Sequence, residues 1–445
     1  MRAWKISIIL LCLLAFAFTA APAMDQGDLG HETLAPNDGW ASLGAGTTGG
    51  SAADDDHVYT VHNRLELIAA LNDGVYPPPS SPSNTPKIIY IDGTIEANVD
   101  DNNEKLSCED YYQNGFTMEA FLAEYDPNGP WGRNKPTGTL EDNRLLSRNA
   151  QQARVRIKVG SNTTIVGVGK HSEIRGGWLD IRGSSTVNAT NIIVRNITFS
   201  DTFDCFPEWS PTDGDLGSWN ALYDSISVRN ADHVWVDHNT FRDKETLDED
   251  APVYFGVLFQ QHDGLLDITN ASDLVTVSWN RFLTHDKTML IGSSDSASAD
   301  RGKLRVTIHH NLFDKTGQRA PRVRFGQVHV YNNYYKIEKV PYYVYTWGVG
   351  IESALYAENN FFKTDKTITP DMFIDVFKGL AIHESGNYLN GTPDKNLVDI
   401  LAAFNAVNDP DLGSDVGWTP TLFLEIQPTG KVPSAVQNDA GPFNW

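Results

Sequence analysis

The chain has 445 residues, 35 Lys and Arg against 57 Asp and Glu, and a formal net charge of −22. That balance argues against nucleic acid as a partner, and an anionic ligand of any kind requires a local basic cleft or a bridging cation to offset the long-range repulsion. With 40% hydrophobic residues the chain has enough apolar material for one large core, and its length is within reach of a single all-β solenoid.

Residues 1–23 read as a secretory signal: Arg2 and Lys5, an apolar run over 6–18, and Ala21-Pro22-Ala23 as a small-residue cleavage site. Its removal takes away two cations and no anions, so the charge becomes about −24 (−22 − 2). No later stretch approaches the ~18 apolar residues of a spanning helix, so the expectation is a secreted, extracellular protein with no membrane attachment once the signal is gone. Cys12 leaves with the signal. Cys108 and Cys205 remain, either as one disulfide or as two separate thiols.

Residues 24–57, rich in Gly, Ser, Thr and Asp, read as a flexible leader, and 58–445 as a single catalytic domain. Leu65, Ile68 and Leu71 have helical spacing, with Asn72-Asp73-Gly74 as a stop, and this helix is expected to cap the N-terminal end. Lys87-Ile-Ile-Tyr-Ile91 reads as a buried strand. Residues 97–152 form a long polar and aromatic excursion with a helix inside 140–152.

From residue 153 a repeat appears. Val236-Asp-His-Asn239-Thr-Phe241, Val277-Ser-Trp-Asn280-Arg-Phe282, Ile308-His-His-Asn311-Leu-Phe313, Val330-Tyr-Asn-Asn333-Tyr-Tyr335 and Ala357-Glu-Asn-Asn360-Phe-Phe362 share the form apolar-x-x-Asn-x-aromatic. Val194-Arg-Asn196-Ile-Thr-Phe199 has its Asn one place earlier. The aromatics are 42, 41, 31, 22 and 27 residues apart. A minimum near 22 with variable insertions predicts an all-β parallel β-helix, in which stacked Asn side chains satisfy turn backbone and stacked aromatics fill the interior. Past residue 364 the chain is less regular. A helix is expected over 395–407, in a segment covering the solenoid.

Three features exceed what packing needs. Asp263 and Asp267 are four apart, an even spacing that places both on one face of an extended chain, and Asp224 lies one coil earlier. Three carboxylates suit a hard cation, Ca2+ before Zn2+, although each Asp alone is equally at home in a turn. Lys287 follows on the next coil's rim. Arg319, Arg322 and Arg324 then place three guanidiniums in six residues, with Pro321 marking a bend; structural salt bridges are the alternative for all three. An acidic cation site beside Lys and Arg suits a linear acidic polysaccharide, and elimination alpha to a uronate carboxylate better than hydrolysis.

Val234-Trp-Val-Asp-His238, His262-Asp-Gly-x-x-Asp267, His285-Asp-Lys287, Gly292-Ser-Ser-Asp-Ser296 and the run from Arg319 to Asn333 together resemble the pectate lyases of the first polysaccharide lyase family, Bacillus-type branch, over about residues 85–365. Trp209-Ser-Pro-Thr-Asp-Gly214 matches as a loop before the cation site. The resemblance implies a right-handed parallel β-helix acting as a monomer on polygalacturonate, the de-esterified homogalacturonan of plant cell-wall pectin, by β-elimination. It further implies Asp224, Asp263 and Asp267 as Ca2+ ligands, Arg319 as the base at C5, and Lys287 and Arg324 as partners of substrate carboxylates. Asp237 and His238 match a motif read as structural. The alternatives are a non-catalytic pectin-binding solenoid, a pectin lyase, which lacks the acidic trio, and a polygalacturonase.

Overall fold

The computed structural model describes residues 28–445 except 185, 339, 341 and 391–396. The expected signal over 1–23 lies outside the described residues, as does the start of the helix expected over 395–407.

The chain winds into a parallel β-helix with three sheet faces. One face has ten strands, from Val58–Val61 to Ile382–Ser385; a second has eight, from Arg156–Val159 to Ile374–Phe377; a third has nine, from Thr94–Glu96 to Tyr388–Leu389. Neighbours within each face are parallel and in register, for example Val234↔Val275 and Val275↔Val306. Alternation directs Ile157, Leu179, Ile226, Leu266, Ile291 and Val323 inward, each fully or almost fully buried, while their sequence neighbours face out.

The repeat acts as its pattern predicts. Asn239, Asn280, Asn311, Asn333, Asn360 and Asn387 form a continuous ladder, each Nδ2 donating to the next Oδ1 at 3.0–3.2 Å. From Asn239 to Asn360 each Nδ2 also reaches a main-chain carbonyl of the preceding coil, as Asn311 does to Val277 O at 3.0 Å, whereas Asn387 Nδ2 donates to Glu384 Oε2 at 2.7 Å. Two residues on, Phe199, Phe241, Phe282, Phe313, Tyr335 and Phe362 stack with centroids 4.7–5.2 Å apart and ring planes within 14°. Each pair contributes ~0.5–1.5 kcal/mol beyond area burial.

The helix Arg64–Ala70, N-capped by Asn63, buries Leu67 and Ile68 beside the first coil. The excursion packs its Tyr111, Phe116 and Phe121 with Phe206, Trp209 and Trp219 of a later loop in a separate aromatic core, and the helix Thr139–Val155 adds Leu140 and Ala150. Cys108 and Cys205 are bonded, with Cα atoms 5.5 Å apart, which settles the pairing left open by the sequence.

The leader requires correction over its described part. Residues 34–53 are pinned along the ten-stranded face: Ala41 N donates to Thr276 Oγ1 at 3.1 Å, Trp40 N to Thr307 Oγ1 at 3.0 Å and Gly50 N to Thr164 Oγ1 at 2.8 Å. Most of the contact is made by main-chain donors on strand side chains, with Leu34 and Ala41 adding scattered apolar contacts on Ile193 and Trp235, so it leaves no hydrophobic period to read. A Cβ at Gly50 would stand 1.8 Å from Lys87 O, so only glycine permits the approach.

The C-terminal segment contributes the helix Ile400–Asn405 near the last coils, then turns back along the side of the solenoid. Gln427 N donates to Asn332 Oδ1 at 2.7 Å, Val432 and Val436 pack on Leu312 and Tyr334, and Phe443 N donates to Asn196 Oδ1 at 2.8 Å.

Candidate active site on the eight-stranded face

Asp224 stands two residues before the strand Ile226–Arg229, and Asp267 lies within Leu266–Thr269, opposite Ser227. Asp263 precedes that strand rather than sharing it. A bend at Leu265 separates them, so even spacing alone does not align Asp263 with Asp267 on one strand face, while Asp224 and Asp267 meet at Gly264. Gly264 N donates to Asp224 Oδ1 at 3.0 Å, and a Cβ on Gly264 would meet Asp267 Oδ1 at 2.3 Å and Asp224 Oδ1 at 2.9 Å.

Asp224 also bonds Ser227 Oγ and lies 3.4 Å from Arg229 Nη2. Asp267 Oδ1 accepts from Leu290 N at 2.9 Å. Burial, with Asp267 and Asp263 adding repulsion, raises the Asp224 pKa well above the carboxylate range. Burial, then Asp263, pushes Asp267 up to about 7 against the opposing pull of Arg319. Without a cation the site resists carrying three negative charges.

Lys287 ends the strand Arg281–Lys287 in register with Gln318, the residue before Arg319, so both cations sit where adjacent coils turn from the nine-stranded to the eight-stranded face. Arg319 has φ 58°, an uncommon left-handed conformation for a residue with a Cβ, and its buried Nε has no hydrogen-bond partner. Burial pushes its pKa down, but Asp263 and Asp267 more than offset this and hold it above the ordinary value.

The other two arginines differ from it. Arg324 is buried, with Nε on Asp295 Oδ1 at 2.8 Å and Nη1 on Gly292 O at 2.7 Å, so in this structure its fork is engaged by the protein. Arg322 stacks its guanidinium 3.6 Å from the centroid of Phe377. Asp237 accepts from Arg195, His238 and Ser278 on the ten-stranded face, in accord with a structural reading.

Among the described residues, the Asp/Glu/His/Cys set whose ligand atoms all fall within 4.8 Å of one another is Asp243, Asp248 and His285, not the predicted trio. His285 has both nitrogens engaged, Nδ1 with Asp243 Oδ2 at 2.5 Å and Nε2 with Asp263 O at 2.7 Å. Burial lowers the His285 pKa, but Asp243 outweighs it and the net is a rise to about 10, so the imidazolium bridges a buried carboxylate to the main chain of Asp263. Sequence reading found His285 within a motif but gave it no role. Gly264 and Arg229 were likewise unassigned, though the Gly after Asp263 is a visible signal of close approach.

The fold and the site define a class: a parallel β-helix that carries carboxylates and guanidiniums together on its eight-stranded face. Comparison narrows the class. A family-wide profile described as pectate lyase matches residues 140–390. The chain is 43% identical over 439 residues to a pectate lyase of Bacillus subtilis, covering 98% of each, and 36% identical over 369 residues to pectate lyase E of Dickeya dadantii, covering 81% of this chain and 77% of that one. Among solved structures, a thermostable pectate lyase superposes with TM-score 0.88 at 46% identity, covering 94% of this chain and 100% of the other. A pectate lyase bound to a hexasaccharide superposes with TM-score 0.85 at 43% identity, covering 93% and 99%. The chain belongs to the pectate lyase family and is an enzyme of that family.

Proposed function

We propose that the protein is a Ca2+-dependent lyase that cleaves de-esterified homogalacturonan by β-elimination and releases 4,5-unsaturated oligogalacturonides. The observation that carries this reading is the electrostatic coupling of Asp224, Asp263 and Asp267 with one another and of Asp263 and Asp267 with the half-buried Arg319. The donor set fits a hard cation: the three residues supply carboxylate oxygens, and two of them resist ionisation until positive charge is added. Bound there, Ca2+ would neutralise a uronate carboxylate and so favour loss of the adjacent C5 proton.

The chain's own groups supply the rest. Arg319 takes the C5 proton. The C5–H electrons form the C4–C5 double bond as the C4–O bond breaks, the leaving oxygen takes a proton from solvent water, and Arg319 returns its extra proton to solvent. A neutral guanidine is needed, which is demanding for a group that ordinarily stays protonated far above working pH. What holds Arg319 high is the charge of Asp263 and Asp267. Once that charge is neutralised, the desolvation of its side chain is opposed only by the weaker pull of Tyr345 and Asp286. Among the described residues Lys287 enters no ion pair, which leaves its ammonium available to a substrate carboxylate. Arg324 would serve a second one by exchanging Asp295 for it.

Export rests on the segment 1–23; among the described residues no helix is long and apolar enough to cross a membrane. The test is incubation with polygalacturonate and Ca2+, followed in the near ultraviolet. The expected result is a conjugated-alkene chromophore that disappears with a chelator. Saturated reducing ends without chromophore would instead show a hydrolase, binding without turnover a silent solenoid, and preference for methylated substrate without Ca2+ a pectin lyase.

A further inference from the structure

The eight-stranded face extends beyond the carboxylate site toward the N-terminal coils, and there its outward residues turn basic. Strand register aligns Lys158, Asp180, Ser227 and Asp267 in one outward row, and Arg182 with Arg229 in the next. At about 4.8 Å per strand, Lys158 lies roughly 14 Å from Asp267 along the sheet. Trp178 joins the two regions. Its buried indole donates to Ser227 Oγ at 2.7 Å, and the guanidiniums of Arg229 and Arg156 lie 5.1 and 5.3 Å from its ring centroid. Arg229 in turn lies beside Asp224.

Beyond Trp178 positive charge is in excess. Asp180 is shared by Arg156 at 2.6 Å and Arg182 at 3.3 Å, while Lys158 reaches only a carbonyl, Ser80 O at 2.9 Å. Two cavities open here and share Arg156 and Lys158. One, of about 580 Å³, adds Arg64 and Arg154 against the single carboxylate Asp101; the other, of about 300 Å³, adds Arg182. Burial, then Arg156, pushes the Lys158 pKa down. In a chain of net charge −22, such a concentration of cations in line with the reaction site has the chemistry of an anion-binding track.

We propose that the stripe Arg229, Arg156, Lys158 and Arg182 is a distal binding site for uronate carboxylates of the same polygalacturonate chain, gripping long substrates beyond the reaction site without a cation. The inference rests on the function proposed above. Its occupant would be a run of carboxylated sugars, held by guanidinium forks and one ammonium, with the strength of the grip falling as salt rises.

The test uses the full chain in gels containing long polygalacturonate and excess chelator, so that turnover and the calcium site are silent. Wild type is expected to be retarded, and Lys158→Gln with Arg182→Gln, both solvent-exposed positions, to lose at least 3-fold of that retardation. Lys366→Gln with Lys431→Gln, an equal charge change elsewhere on the surface, should retain it. With Ca2+ restored, the same Lys158 and Arg182 pair should raise KM on the polymer at least 5-fold more than on trigalacturonate. Equal retardation of the stripe variant and wild type, or an equal loss in the control pair, would overturn the distal site. Absence of unsaturated product from wild type with Ca2+ would instead overturn the proposed function, whatever the gels show.

Discussion

Gly264 holds Asp224 by a 3.0 Å bond from its own N–H, and its Cα leaves the space that Asp267 Oδ1 occupies, 2.3 Å from where a Cβ would stand. The carboxylate cluster is therefore shaped by a missing side chain as much as by the acids themselves. Gly264→Ala should displace at least one carboxylate and weaken Ca2+ binding at least ~10-fold, about 1.4 kcal/mol, with the far-ultraviolet spectrum unchanged. Calorimetric titration with Ca2+ decides it; wild-type affinity in the alanine variant would show that the cluster is not the binding site.

Calcium binding should depend on pH. Asp267 titrates near 7 and Asp224 is raised as well, so below pH 7 Ca2+ must displace protons. Affinity should fall about 3- to 10-fold per pH unit between 7 and 5. The sign for the apoprotein is opposite to that of a salt-bridged carboxylate. A folded-state pKa raised from 3.8 means that the native state keeps a proton the unfolded chain has lost, so apo stability declines as pH rises from about 4 through 7, and saturating Ca2+ should reverse the decline. Thermal melts with and without Ca2+ at pH 5 and 8 would reveal it; parallel curves would contradict it.

The Asn ladder should be costly to interrupt. Asn311→Ala removes an acceptor from Asn280 N at 2.8 Å and a donor from Val277 O at 3.0 Å, both buried. At ~1–3 kcal/mol per orphaned group, the loss should be roughly 2–6 kcal/mol. Chemical denaturation would measure it, and a midpoint equal to wild type would mean that water replaces the side chain.

Much of this was legible in the chain, and the reasons for the exceptions are physical. The ladder and the aromatic stack repeat because each coil must satisfy the same turn and fill the same interior, so Asn239 to Asn360 could be read directly. Asn387 belongs to the same ladder but was hidden, because Leu389 stands where the earlier coils have an aromatic. The pinned segment over 34–53 was invisible since most of its contacts run through main-chain N–H groups and its few apolar ones, at Leu34 and Ala41, have no period. At the site, Asp224, Asp263, Asp267, Lys287 and Arg319 stand out in the sequence by residue type and spacing, and their roles are those proposed above. The grip of Asp295 on Arg324 and the His285 bridge to Asp263 O depend on loop paths that no spacing encodes.

The aromatic lobe should depend on its disulfide. Cys108 and Cys205 close a loop of sequence separation 97, and replacing both with Ala should cost about 2–5 kcal/mol, expressed first as protease sensitivity within residues 97–152. Limited proteolysis followed by mass analysis would locate the cuts; wild-type resistance would show that the aromatic core suffices.

Arg319→Lys tests the central claim most directly, because it keeps the positive charge beside Asp263 and Asp267 while removing the guanidinium proposed to take the C5 proton. Turnover of polygalacturonate, read as unsaturated product at saturating Ca2+, should fall at least ~10³-fold, about 4 kcal/mol of barrier, with Ca2+ affinity by calorimetry within about 3-fold of wild type. A variant that binds Ca2+ normally and retains most of its turnover would contradict the assignment of Arg319 as the base.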